Sequence, residues 1–184
     1  MPRRRFIFDT PDRFIAGTVG EPGNRTFFLQ ARDGNRIASV SLEKVQVAAL
    51  AVRLTELLDE LAARGVDGAE DLESATLAPA ILDEPVIEAF HVGTLALGWE
   101  TTEMLVMLEA REITDDDTDD DAFEDTDEEG PDILRVRISA AAAREFVARA
   151  RRLVAAGRPP CPLCGEPLDP LGHLCPRRNG HRLN

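Results

Sequence analysis

The sequence contains no run of about eighteen apolar residues, which excludes a membrane-spanning helix. Its opening, Met-Pro-Arg-Arg-Arg-Phe-Ile-Phe-Asp9, is basic but holds no apolar signal core. A cytoplasmic protein is expected from that. Cysteine is scarce, at three residues. An odd number, in a chain without an export signal, suits metal better than disulfides. Catalytic signatures are also missing. No Gly-Lys-Ser/Thr follows Gly17-Thr-Val-Gly20-Glu-Pro-Gly23, and no helix pattern starts there. That stretch reads as a hairpin turn, not a phosphate cradle. No Ser-His-Asp order, paired-carboxylate motif or His-x-x-x-His stands out, which weighs against an enzyme.

The 184 residues are 43% hydrophobic, enough for one ordinary core plus an appendage. The net charge of −13 is concentrated. Eleven acidic residues crowd positions 115–129, leaving 23 acidic against 21 basic residues elsewhere. The low pI therefore describes a local run, not the folded body. The run lacks the glycine and terminal glutamate of a calcium-binding EF-hand loop. It reads as a solvated, disordered insertion over 114–130.

Two stretches look alike. The first holds strands at Phe14–Thr18, Thr26–Arg32 and Arg36–Val40, then a helix from Ser41. The second holds strands at Phe90–Thr94, Glu103–Arg111 and Ile133–Ile138, then a helix from Ser139. Each opens on Phe-x-x-Gly-Thr, ends its second strand on Ala-Arg, and places a serine where the helix begins. An internal repeat of strand-strand-strand-helix units follows. The strands are assigned from alternation and β-branched or aromatic enrichment, with Asp33-Gly34 as a hairpin marker. In 133–138, Arg135 and Arg137 face opposite to Leu134, Val136 and Ile138, a half-buried strand.

Val47, Leu50, Leu54, Leu57, Leu58 and Leu61 form one apolar stripe at helical spacing, with Ser41 as expected N-cap and Gly65 as stop. Ala143, Phe146, Val147, Ala150, Leu153 and Val154 form the second stripe, with Ser139 as N-cap and Gly157 as stop. The fold class expected is α+β: an antiparallel sheet, or two abutting sheets, with both helices packed on one face. The first unit spans 1–68. A linker, with a short helix near Ala69–Thr76, and the second unit span 69–158. A zinc-binding tail occupies 159–184, after the stiff Pro159-Pro160 break.

That tail carries the strongest signal. All three cysteines and two of the three histidines lie in Cys161-Pro-Leu-Cys164-Gly-Glu-Pro-Leu-Asp-Pro-Leu-Gly-His173-Leu-Cys175-Pro-Arg-Arg-Asn-Gly-His181. Cys-x-x-Cys-Gly is a knuckle turn that aims two thiolates at one metal. Cys161, Cys164 and Cys175 are three ligands of a structural Zn²⁺. His173 is favoured as the fourth, with His181 as the alternative. Metal would supply the ordering energy that so short a tail lacks. Redox chemistry is the weaker rival, because Pro162 and Gly165-Glu-Pro favour a knuckle over a helix start.

Other residues carry weaker signals. His91 lies in a strand pattern and reads as structural. Trp99, the only tryptophan, is placed at a hairpin turn after Gly98. Arg177, Arg178, His181 and Arg182 make the tail basic, as in nucleic-acid-binding ribbons.

Phe8-Asp-Thr-Pro-Asp-Arg-Phe-Ile-Ala-Gly-Thr-Val-Gly-Glu-Pro-Gly23, Arg25-Thr-Phe-Phe-Leu-Gln-Ala-Arg32, Ser41-Leu-Glu-Lys-Val-Gln46 and the Cys161–Cys175 tail together resemble the actinobacterial family of uncharacterised proteins known as DUF3090. The resemblance implies a cytoplasmic protein with a zinc-ribbon-like tail and no established activity. The leading expectation is a zinc-stabilised, non-enzymatic interaction or adaptor protein with a protein partner. Its partner strand or small ligand would use a groove where the two Phe-x-x-Gly-Thr strands meet. The alternative is an enzyme or small-ligand binder with a site between the halves, drawn from Arg25, Gln30, Glu43, Lys44, His91 and Glu109. A third reading is nucleic-acid binding through the basic tail. No membrane partner is expected.

Overall fold

Alternating side chains and glycine-bearing turns produce seven strands and two helices in the computed structural model, which describes residues 2–70, 80–114, 129–157, 161–164 and 175. The strands are β1 (Arg5–Asp9), β2 (Arg13–Glu21), β3 (Asn24–Asp33), β4 (Arg36–Leu42), β5 (Glu88–Glu100), β6 (Leu105–Glu112) and β7 (Ile133–Ile138). The helices are α1 (Lys44–Ala63), after β4, and α2 (Ala140–Ala155), after β7. The class is α+β, as expected.

The strands form one sheet in the order β1-β7-β6-β5-β4-β3-β2. It is mixed, not the antiparallel sheet expected. β1 runs parallel to β7, and β4 parallel to β5. The other pairs are antiparallel. The β4-to-β5 connection carries α1, and a crossover of that length permits parallel pairing where a tight turn does not. This parallel seam is short: only Ser39 with Glu88 and Ser41 with His91 pair across it. β1 and β2 are consecutive in the chain yet occupy opposite edges. Arg36 donates from the start of β4 to the Ile7 carbonyl at 2.9 Å, and its guanidinium lies 5.0 Å from the Phe8 ring centre. These contacts set β1 against the start of β4, an inner strand of the sheet.

The two Phe-x-x-Gly-Thr strands do not meet. Phe14–Thr18 lies in the edge strand β2, and Phe90–Thr94 lies in β5, with β3 and β4 between them. The groove expected at their junction does not exist. Their glycines instead make room on the sheet. A Cβ on Gly17 would sit 2.5 Å from Leu82 Cγ, and one on Gly93 would sit 2.8 Å from Ile113 Cα. Leu82 packs there with Ile15 and Phe28 in a small separate cluster.

The main core joins both halves. Leu29 and Val40 from β3 and β4, Val106 and Leu108 from β6, and Val136 from β7 are buried with the helix stripes. Phe14 stacks on Phe146 at 4.8 Å, tying β2 to α2. Arg144 on α2 is buried and reaches Asp59 on α1 at 2.5 Å and the Ala69 carbonyl at 2.6 Å. Fully burying each large apolar side chain is worth about 1.5–3 kcal/mol, which outweighs helix propensity.

Element ends differ from expectation in four places. Ser41 is not the N-cap of α1; it is a buried residue of β4, and Glu43 caps the helix. The hydrogen-bonding demand of the adjacent parallel strand draws the serine into the sheet. Glu103 lies in the turn, so β6 begins at Leu105. Trp99 lies inside β5, half-buried against the core, because that strand continues to Glu100. β1 is a full strand where only a basic terminus was legible. There Arg137 hydrogen-bonds Asp9 at 2.6 Å, which holds the Asp9 carboxyl below its ordinary range. Ser139 does cap α2, its side chain accepting from Ala142 N–H at 3.2 Å. Ala69 and Glu70 are not helical; the rest of the expected linker helix lies outside the described residues. So does most of the acidic insertion. No described helix is long and apolar enough to cross a membrane.

Candidate metal centre

Cys161 and Cys164 stand one turn apart, as the two-residue spacing requires. Cys175 joins them from fourteen residues on. The three Sγ atoms all lie within 4.8 Å of one another. Cys161 Sγ and Cys175 Sγ are 3.9 Å apart. Two sulfurs on a tetrahedral ion, each at about 2.3 Å, are separated by about 3.8 Å. A disulfide needs about 2.05 Å. The spacing therefore fits metal ligation, and all three cysteines are free.

The local backbone favours thiolate. Leu163 N–H donates to Cys161 Sγ at 3.4 Å. That bond is the main reason the Cys161 thiol is held below its ordinary range; burial opposes it, and Cys164 and Cys175 add to the lowering. An N–H···S bond from two residues on is what a tight knuckle turn provides. Cys161 and Cys175 are 6% and 5% exposed, and Cys164 is half-buried. Three thiolates can hold a soft or borderline divalent ion. His173 and His181, the two candidates for a fourth ligand, lie outside the described residues, as do Arg177, Arg178 and Arg182.

The six residues weighed for a catalytic site are distributed over four places. Arg25 donates to the Ala156 carbonyl at 2.7 Å and the Leu153 carbonyl at 3.3 Å, so it closes the end of α2. Lys44 lines a small recess beside it. Gln30 is buried, holding Ser39 Oγ and the Asp83 main chain. Glu109 is fully buried on β6, bonded by Arg111 at 2.8 Å and Arg135 at 2.7 Å. Glu43 and His91 come together, with Glu43 Oε1 3.8 Å from His91 Nε2.

Around His91 the parallel seam adds two residues that sequence reasoning missed. Ser41 Oγ donates to Glu88 Oε1 at 2.6 Å and lies 2.8 Å from His91 Nδ1. With its one proton committed to Glu88, the hydroxyl accepts from His91 Nδ1–H. The missed signal was Glu43 three residues before Gln46, a helix-start spacing that pushes Ser41 back into the strand.

An α+β sheet with two helices and a three-thiol cluster defines a domain with a candidate structural metal centre. Residues 6–175 match the family described as "Protein of unknown function (DUF3090)", and the chain belongs to that family. No curated protein and no solved structure matches it.

Proposed function

We propose that the chain is a zinc-stabilised, non-enzymatic interaction protein. The observation that carries this is the three-thiol cluster, its sulfurs within 4.8 Å of one another and the Cys161–Cys175 pair at 3.9 Å, close to the spacing on a tetrahedral ion. Closed sulfur-rich sites hold metal for structure and leave no position for an activated water. Cys161, Cys164 and Cys175 are the proposed ligands, with His173 fourth and His181 as its alternative. Zinc is the ion of choice for sulfur-rich tetrahedral sites. Free thiols at this spacing fit a reducing, cytoplasmic setting. The duplicated origin of the body is part of the same reading, supported by the shared order β2-β3-β4-α1 and β5-β6-β7-α2. The test is metal content of the purified chain by mass spectrometry. About one zinc per chain is expected, lost in Cys161→Ser and in His173→Ala. Retention in His173→Ala with loss in His181→Ala would move the fourth ligand. A wild type without zinc would overturn the reading.

One observation favours a second reading, a catalytic or small-ligand site between the halves. The Glu88–Ser41–His91 chain crosses from β5 to β4 and back, orienting Nε2 beside Glu43. Hydrolysis within a panel of acyl and phosphoryl esters, abolished by His91→Asn, would establish it.

A further inference from the structure

β5 is thirteen residues long, but β4 pairs with it only at Glu88 and His91. β6 covers its other edge from Val92 to Glu100. From Gly93 onward, no described strand pairs with the edge of β5 that faces away from β6. The reason is that β4 ends at Leu42 and the chain turns into α1. The Gln46 side-chain amide fills the first place a strand would have taken. It donates to the Val92 carbonyl at 3.2 Å and the Gly93 carbonyl at 3.1 Å. Beyond it a groove of about 670 Å³ opens between α1 and this edge. Leu57, Leu95 and Leu97 line it as half-buried side chains, and Ala49 is exposed on its wall.

We propose that this groove receives an extended segment of a partner protein as an added strand on β5. The proposal rests on the reading of the chain as an interaction protein and names its docking surface. An unpaired strand edge presents main-chain donors and acceptors that only another extended backbone satisfies in series. The stretch from Thr94 to Trp99 spans about 20 Å at the rise of a strand. An incoming strand would turn alternate side chains onto the leucines and the others to water. The rim selects charge. Glu56 and Glu60 line the groove against Arg53, so a basic flanking residue on the partner is favoured. A second copy of the chain would bring the same carboxylate excess.

The experiment pans a random dodecapeptide phage library on the full-length chain as purified, with Ala49→Arg as the counter-target. Ala49 is exposed, so the arginine blocks the groove without touching the core. Enriched peptides are expected to carry apolar residues at alternate positions with a basic flank. A synthetic copy should bind the wild type, lose at least tenfold on Ala49→Arg, and slow amide exchange within 94–99. No enrichment, equal binding to both proteins, or exchange protection elsewhere would overturn the proposal. A concentration-dependent dimer that Ala49→Arg dissolves would assign the edge to a second copy and overturn it too. Zinc content measured on the same samples separates the two readings. Peptide binding without zinc sinks only the metal reading; zinc without peptide binding sinks only this one.

Discussion

Gly17 and Gly93 occupy the same place in two copies of one short motif, and each leaves space for a crossing chain. The crossing atoms differ. At Gly17 a new Cβ would meet the branched end of the Leu82 side chain. At Gly93 it would meet the backbone of Ile113. A side chain can turn aside at a cost of about 1–3 kcal/mol; the Ile113 backbone, whose N–H donates to the His91 carbonyl at 2.9 Å, cannot do so without straining that bond. Gly93→Ala is therefore expected to destabilise more than Gly17→Ala, measured by urea denaturation of both variants. The opposite order would mean that Ile113 moves freely. Glu109 makes a second residue-scale case. It sits unexposed between Arg111 and Arg135, and its removal takes away the carboxylate that both largely buried guanidiniums share. Glu109→Ala is expected to cost about 3–5 kcal/mol in the same measurement. A loss under about 1 kcal/mol would show that the arginines find other partners. The sequence marks Glu109 as a charge in an apolar strand but cannot say which cations face it, because Arg135 lies on another strand.

At the scale of elements, legibility follows the range of the interaction. The stripes of α1 and α2 could be read because a helix's buried face is set by residues three and four apart. Ser139 could be read as a cap because its bond to Ala142 is local. Ser41 was misread for the converse reason: its partners, Glu88 and His91, are 47 and 50 residues away. The same holds for β1, whose register against β7 joins Arg5 to Ile133. Nothing near Arg5 announces that partner. The start of α1 is where local and distant bonds meet. Gln46 accepts from Glu43 N–H at 2.8 Å and donates to two carbonyls of β5. Gln46→Ala removes the helix-start acceptor and uncovers the β5 carbonyls together. A loss of about 1–3 kcal/mol is expected by thermal or urea unfolding. Gln46→Glu separates the two roles: it keeps the acceptor and loses the donor. It should fall between wild type and Gln46→Ala. Equal stability of all three would mean that water replaces the amide at both ends.

At the scale of the whole molecule, the cysteine tail and the sheet body answer to different forces. The body closes one core from Phe8 to Ala150, and none of the three thiols belongs to it. The thiols instead surround one another, and burial of so little apolar surface cannot order a short tail unaided. This is why the thiol cluster was legible in the sequence while the sheet order was not. Ligand spacing is local, at two residues between Cys161 and Cys164, whereas the order of seven strands depends on pairings across the chain. If the two parts are energetically separate, stripping the metal should loosen the tail and leave the body intact. Trp99 reports on the body alone, since it is the single tryptophan and packs on the main core. On adding a strong chelator, Trp99 emission and the far-ultraviolet circular dichroism of the sheet are expected to hold steady. Protease cleavage should appear first beyond Gly157, where α2 has ended. The unfolding midpoint followed by Trp99 should shift by no more than about 2–4 °C, the change that about 1 kcal/mol makes in a chain of this size. A large drop in that midpoint, moving together with loss of metal, would mean that the tail braces the core and that body and tail unfold as one unit.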